Sequence, residues 1–456
     1  MQELGSLVKG EVLTDEAARL SVSGDFGRIM TKVPQAVVRP SSAEDVAAVL
    51  RFASARGIPV STRGEAHSQT GQSLSSGIVI DLGSLETIHS VDRKALTVTL
   101  DSGVRWRTLV EHLYPMGLIP RVLTNNLNVT IGGTLSVAGL GVASFRFGAQ
   151  GDNVLELQAV TGAGEIVECS AEKNREVFDA VRSGLGQFGV ITRAKLLLRE
   201  FLPKVRMYFL LYDELGAFME DAAALMDEGR FSYLESWCVP CPQGFKLEGE
   251  RKRAFAQWFY PLHATIEFRE KAPEDAAMLA GLHHYRQTHV EDRSLMDFAA
   301  RLDPLFEIWR RSGAWDMAHP WMEAIMPWET ARAFIDAVLS EMEPQQIAGG
   351  HILLWPSKGT TSSIPLFMRP SCQHVMGFGI LPAVPQRFLD IALPRLDAAS
   401  DLAMVFGGKR YLSGIIRFDK DRWRQHWGEK WDEVNRLKKK FDPTYTLNPG
   451  FIDYDR

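Results

Sequence analysis

The sequence predicts a two-domain protein of mixed helix and strand, and three observations carry that expectation. At 456 residues the chain exceeds what one hydrophobic core usually serves. From about residue 35 to 200, short apolar strand patterns alternate with short helical ones. After Pro203 the composition shifts towards Trp, Met and His, with longer helical patterns up to about residue 400.

The elements follow in order. Ala36-Val37-Val38-Arg39-Pro40 reads as a strand, and Ser41-Ser42-Ala43-Glu44 as a helix start, because a serine followed three residues on by an acid caps the first turn. That helix runs through Val46 to Ala53 and stops near Gly57. Ile58 to Thr62 and Ile78 to Leu82 are buried strands on either side of a small-residue loop. Leu96 to Leu100 is a further strand; Val154 to Val160 turns at Gly162-Ala163-Gly164 and pairs with Glu165 to Glu168. Glu176 to Val181 is helical, and Val190 to Leu198 closes the region as a strand. In the second region, Leu215 to Met226 and Glu329 to Met342 read as helices, and His351 to Trp355 and Gly377 to Leu381 as strands of a mixed sheet. Trp423 to Phe441 reads as one basic amphipathic surface helix, ended by Asp442-Pro443.

The formal net charge of -5 comes from interspersed acids and bases with no basic tract, which argues against nucleic acid and against an electrostatic membrane anchor. No run is long and apolar enough to cross a bilayer, and the first residues lack a leader pattern, so a cytoplasmic protein is expected. Four cysteines in a chain this long make no disulfide framework. Cys238-Val239-Pro240-Cys241 has C-x-x-C spacing, but no second pair or histidine cluster stands near it, and no metal site is expected.

The most informative stretch is Arg63-Gly64-Glu65-Ala66-His67-Ser68-Gln69-Thr70-Gly71-Gln72. Gly64 and Gly71 let main-chain N–H groups approach a bulky anionic ligand, Arg63 adds positive charge, and His67 offers a ring nitrogen able to attach to a flavin methyl carbon. Two further glycine-dense blocks, Leu123 to Gly141 and Ser183 to Thr192, call for another backbone or a ligand close by. Gly184-Leu185-Gly186-Gln187-Phe188-Gly189 fits the dinucleotide expression Gly-x-Gly-x-x-Gly, but it follows a helix and opens a strand, so its context rejects that reading.

These blocks, with Trp315-Asp316-Met317-Ala318-His319-Pro320-Trp321, Lys409-Arg410-Tyr411-Leu412, Phe441-Asp442-Pro443 and Leu447-Asn448-Pro449-Gly450, resemble flavoproteins of the vanillyl-alcohol oxidase (PCMH) type, and among them the cytokinin dehydrogenases. The likeness covers most of the chain. It implies an α+β fold: a two-subdomain PCMH-type FAD-binding domain over 1–202, an α+β substrate domain with a mixed sheet over 203–405, and a segment over 406–456 returning to the first domain. It also implies FAD attached covalently through His67. Cofactor contacts would come from Arg63, Gly64, Glu65, Ala66, His67, Ser68, Gln72, Thr124, Asn125, Thr130, Gly132, Gly133, Ser136, Gly139, Gly186, Ile191, Tyr411 and Asn448.

Trp315, His319, Trp321, Trp355 and Leu412 are the candidate residues for meeting the substrate, and O2 or a quinone is the candidate electron acceptor. The expected reaction is hydride transfer from a C–N bond of a small amine, such as an N6-substituted adenine, to the flavin. The alternative is oxidation of an alcohol, a sugar or a biosynthetic intermediate. The family's catalytic aspartate falls where this chain has Thr124-Asn125-Asn126-Leu127, and an amide orients an N–H without acting as a base near neutral pH. Ala66 likewise stands in place of a loop glycine. Glu235, within Tyr233-Leu234-Glu235-Ser236-Trp237, is then the best spare carboxylate; buried, it would have a raised pKa suited to proton transfer.

Overall fold

The computed structural model describes every residue except Ala348 and Arg456. It is α+β, as the sequence implies, with three sheets. A four-stranded sheet joins Glu11–Leu13, Ala36–Arg39, Ile78–Asp81 and Val60–Arg63 in that spatial order. Its first pair is antiparallel and the other two are parallel. The helix Ala43–Ser54 supplies the crossover. It buries Val46, Val49, Leu50 and Ala53 in a core that also takes Val160 and Val190 from the second sheet.

That second sheet is antiparallel and centres on Gly189–Glu200, flanked by Thr97–Asp101 and by the hairpin Val154–Thr161 with Ile166–Ser170. The glycine block before Gly189 follows the helix Arg175–Val181 and opens this strand, as its context requires. The carboxyl end of the chain comes back to the first sheet. Val60 N donates to Thr446 O at 2.9 Å, and Asn448 N to Val60 O at 2.8 Å.

The third sheet has eight strands beginning with Lys204–Tyr212 in sequence. The sequence suggested a mixed sheet here; every neighbouring pair is antiparallel. Tyr233–Glu248 and Arg251–Phe268 are joined by a tight turn, and such hairpins force antiparallel pairing, whereas parallel neighbours need long crossovers. The mixed sheet is instead the small first one.

Alternation along the central strands sorts this third sheet into two faces. Met322, Ala324, Ile352, Leu354, Met376, Phe378 and Ile380 pack under the helices Leu215–Glu228, Trp328–Glu341 and Leu389–Val405. The odd-numbered residues of the same strands face the first half of the chain.

The tail is not one helix. Lys420–Trp427 and Trp431–Phe441 are separated at Gly428, which adopts φ +53, a left-handed conformation that breaks the helical ladder. Nor are all its lysines on the surface. Lys438 is fully buried, with Nζ 2.7 Å from Asp442 Oδ2 and donating to Gln187 O and Leu447 O at 2.9 and 2.8 Å. Asp442 in turn accepts from the backbone N–H groups of Thr446 and Leu447, so one buried ion pair fixes the returning segment.

Candidate active site

A cavity of about 350 Å³ lies between the glycine-rich loops of the first half and the odd-numbered face of the third sheet. All eighteen residues that the sequence suggested for the cofactor line it. They enter from different elements: Arg63 to Ser68 and Gln72 from the loop after Val60–Arg63, Thr124 to Gly139 from the second glycine block, Gly186 and Ile191 from the third, and Tyr411 and Asn448 from the end of the chain.

The wall on this side is tightly backed. A Cβ on Gly64 would lie 2.2 Å from Thr130 Oγ1, and one on Gly132 2.8 Å from Ser102 Cβ, so glycine is needed at both places. Asp25, buried and with its pKa raised by that burial, accepts from Gly71 N at 2.9 Å and Ser68 Oγ at 3.0 Å, pinning the histidine loop. Thr70 Oγ1 accepts from Ile416 N at 2.8 Å and ties the same loop to the returning segment. Ala66 sits at φ +50, where glycine is at ease and a Cβ is strained. Arg63 lines the cavity, yet its Nη1 donates to the carbonyls of Val22 and Gly24, so its guanidinium braces the N-terminal segment.

His67 stands at the cavity wall with Phe26 stacked against it at 4.0 Å. Burial pushes its pKa down to about 4, so the imidazole is neutral and keeps a nucleophilic nitrogen near neutral pH. Several cavity-lining polar atoms are buried without a protein partner, among them Ser102 Oγ, Gln69 Oε1 and Trp321 Nε1. Orphaned donors and acceptors beside a close-backed glycine wall suit a large polar ligand such as FAD.

Asn125 and Glu235 meet at one end. Arg301 donates to Glu235 Oε2 through Nε at 2.7 Å and to Oε1 through Nη2 at 2.6 Å; the same Nη2 reaches Asn125 Oδ1 at 2.8 Å, and Asn125 Nδ2 donates to Glu235 Oε1 at 3.2 Å. Glu235 is buried, as supposed, but it is held in a bidentate ion pair with Arg301. Arg301 carried no sequence motif.

Of the residues expected at the substrate, Trp321 and Trp355 line the cavity; Trp315, His319 and Leu412 do not. His319 lies one layer behind, stacked on the far side of Phe26 at 4.2 Å, with its main-chain N–H donating to Gly27 O. Trp315 packs beside it in a cluster with Phe306 and Trp309. Leu412 packs into the core with Trp423 and Trp427, while its neighbours Tyr411 and Ser413 in the turn after Lys409–Arg410 face the cavity. The sequence reading missed Trp309, Glu323, His351, Leu353 and Leu381 on the cavity wall. Four of these five share the odd-numbered sheet face, a signal present in the strand alternation once the strands are placed.

Trp355 spreads over two glycines. A Cβ on Gly377 would lie 1.8 Å from its ring, and one on Gly379 3.3 Å from it. The Gly-Phe-Gly alternation at 377–379 thus clears room for a flat aromatic surface facing the cavity while Phe378 fills the core behind.

Comparison with known proteins agrees with this geometry. A family model described as an FAD binding domain matches residues 34–170, and one described as "Cytokinin dehydrogenase 1, FAD and cytokinin binding" matches residues 203–363 and 398–452. The chain is 32% identical, over 96% of its length and 98% of the relative's, to the "Uncharacterized oxidoreductase ORF5 in fasciation locus" of Rhodococcoides fascians. The chain belongs to the cytokinin dehydrogenase family of FAD-dependent oxidoreductases. It is also 30% identical to cytokinin dehydrogenase 10 of Oryza sativa subsp. japonica, covering 97% of this chain and 88% of that one, and 31% identical to cytokinin dehydrogenase 3 of the same plant, covering 94% and 88%. Among the described residues no group of His, Cys, Asp or Glu could hold a metal ion, and no helix is long and apolar enough to cross a membrane.

Proposed function

We propose that this protein oxidises a C–N bond of a small, flat amine of the cytokinin kind, an N6-substituted adenine, with FAD held covalently through His67. The observation that carries the reading is that His67, Asn125 and the Trp355 face line one cavity. Bound there, the flavin would supply the hydride acceptor.

The chain's own residues do the rest. The neutral His67 ring anchors the cofactor, and the Phe26 stack fixes its plane. Main chain and small side chains at Gly64, Ala66, Ser68, Gly132, Gly133, Ser136, Gly139 and Gly186 leave the space a dinucleotide needs. Asn125, clamped by Arg301 through its Oδ1, orients the substrate's nitrogen; Glu235 and Arg301 hold Asn125 in place. Trp355 offers a stacking surface for a planar ring, and Trp309, Leu353 and Leu381 keep water away from the donor carbon. We divide the labour along the chain as a cofactor domain over 1–202, a substrate domain over 203–405 and a closing segment over 406–456. O2 or a quinone would reoxidise the flavin.

Anaerobic bleaching of the purified yellow protein tests this. Isopentenyladenine should reduce the flavin, and primary alcohols and hexoses should not. Reduction by an alcohol or hexose, with isopentenyladenine inert, would move the protein to the other branch of reactions that the sequence leaves open.

A further inference from the structure

Three carboxylates line the cavity, and their surroundings differ. Glu65 is partly exposed and paired with Arg105 at 2.6 Å. Glu235 is buried and clasped by Arg301. Glu323 is buried and, among the described residues, has no ion-pair partner. It lies on the strand Met322–Pro327, two residues beyond Trp321, on the face shared with Leu353 and Trp355. Gly379 is its cross-strand partner, and the missing side chain there leaves room beside its Cγ.

The polar groups near Glu323 are few. Ser413 Oγ donates to its Oε2. The buried Arg410 guanidinium is close, but each of its three nitrogens donates elsewhere: Nε to the main-chain oxygen of Glu323 at 2.8 Å, Nη1 to Ser400 Oγ at 2.7 Å and Nη2 to Ile415 O at 2.8 Å. Tyr411, the other titratable neighbour, is itself held neutral by burial. Glu323 is therefore the one cavity-lining carboxylate, among the described residues, that is held in no ion pair.

We propose that the Glu323 carboxylate takes the proton from the substrate's N–H as the adjacent carbon gives up hydride, the role for which Asn125 is chemically unfit. This rests on the amine-oxidising reading above. The N–H bond breaks with its proton going to a Glu323 oxygen, and the C–H bond breaks with both electrons going to the oxidised flavin. A C=N bond forms, the donor loses two electrons and the flavin gains them. Burial raises the Glu323 pKa to about 7, and the Ser413 hydrogen bond and the Arg410 charge hold it from rising further. A base titrating near the working pH is the efficient choice.

The test is anaerobic stopped-flow reduction by isopentenyladenine across about pH 5 to 9, in the wild type, Glu323→Gln and Ser413→Ala. The wild-type rate should rise through neutrality. Glu323→Gln should slow reduction by about 10²- to 10⁴-fold and abolish that pH dependence. Ser413→Ala keeps the carboxyl but removes a bond to its ionised form, so the rise should move to higher pH. Independently of turnover, infrared difference spectra should show a protonated-carboxyl band that disappears as pH rises through neutrality and is missing in Glu323→Gln. An unchanged rate and pH profile in Glu323→Gln overturns the proposal while leaving the amine reading standing. A wild-type flavin that no N-substituted amine reduces defeats the amine reading, and this assignment with it.

Discussion

One wall of the cavity, from Gly64 to Ser68, Thr130 to Gly139 and Gly186, presents main chain and small side chains braced from behind; the facing wall, with Glu235, His351, Leu353, Trp355 and Glu323, presents large side chains on a regular sheet. The first wall recognises its ligand by how closely backbone can approach. The second does so by what protrudes from alternate positions of each strand. A change of one methyl group should therefore act differently on the two sides, and five substitutions and one titration test the contrast.

The largest effect is expected where the walls meet. Arg301→Ala leaves Glu235 buried without its partner, and breaking such a pair costs about 3–5 kcal/mol. Chemical denaturation should show that loss, together with weakened binding of adenine-type ligands, because Asn125 loses its clamp. A stability change below about 1 kcal/mol would mean that the pair is solvated in solution.

Gly64→Ala and Gly377→Ala form a matched pair. Each new Cβ meets a neighbour far inside contact distance, Thr130 in one case and Trp355 in the other, and overpacking of this kind costs about 1–3 kcal/mol. Their functional consequences should separate. Gly64→Ala is expected to lower flavin content, read from the ratio of visible to protein absorbance; Gly377→Ala is expected to leave flavin content intact and raise KM. Equal flavin loss in both would erase the distinction between the walls.

The pH dependence of stability follows from buried histidines. His67, His319 and His351 are held at about 4 and His426 at about 3, against an ordinary 6.5, all by desolvation. Between those values the unfolded chain binds more protons than the folded one, so stability is full above about pH 6.5 and is lost as pH falls towards 4. Glu323 runs the other way. Its pKa, raised from 4.5 to about 7, makes the folded state the stronger proton binder and withdraws stability as pH climbs through that window. His263 is held at about 4 in the same way, and these five histidines outweigh Glu323 to give net acid lability, measurable as a falling Tm from pH 6.5 to 4; Glu323→Gln should steepen the gain in stability between pH 4.5 and 7.

The smallest effect belongs to Ala66. At φ +50 its Cβ is strained, and Ala66→Gly should stabilise the protein by about 0.5–1 kcal/mol, with flavin content unchanged.

The same contrast explains what was legible in the sequence. Glycines that must be glycine, and a histidine set among them, leave a pattern at fixed spacing, so the loop from Arg63 to Gln72 and the block from Thr130 to Gly139 could be read before any fold was known. The strands and the helix Ala43–Ser54 were legible for a similar reason, since buried strands and a helix with one apolar face have a local signature; the expected Ser41 cap is not formed, as the N-cap is Ser42 with no side-chain cap bond and Ser41 Oγ donates to Asp45. The facing wall has no motif. Glu323, Leu353 and Trp355 are brought together by register between strands far apart in sequence, and only pairing puts Glu323 opposite Gly379 and Trp355 opposite Gly377. Arg301 was hidden for the same reason, reaching across from a separate turn to hold Asn125 and Glu235. Trp315 and His319 misled because aromatic residues near a pocket sit in its second layer as readily as in its wall, and here Phe26 stands between His319 and His67.

The covalent bond proposed between His67 and the flavin would hold the cofactor permanently at the backbone wall. Acid precipitation of the purified yellow protein, followed by tryptic digestion and mass spectrometry, tests it directly. The colour should stay with the precipitate, and the peptide containing His67 should be heavier by one FAD. An unmodified His67 peptide, with all the flavin free in the supernatant, would contradict it.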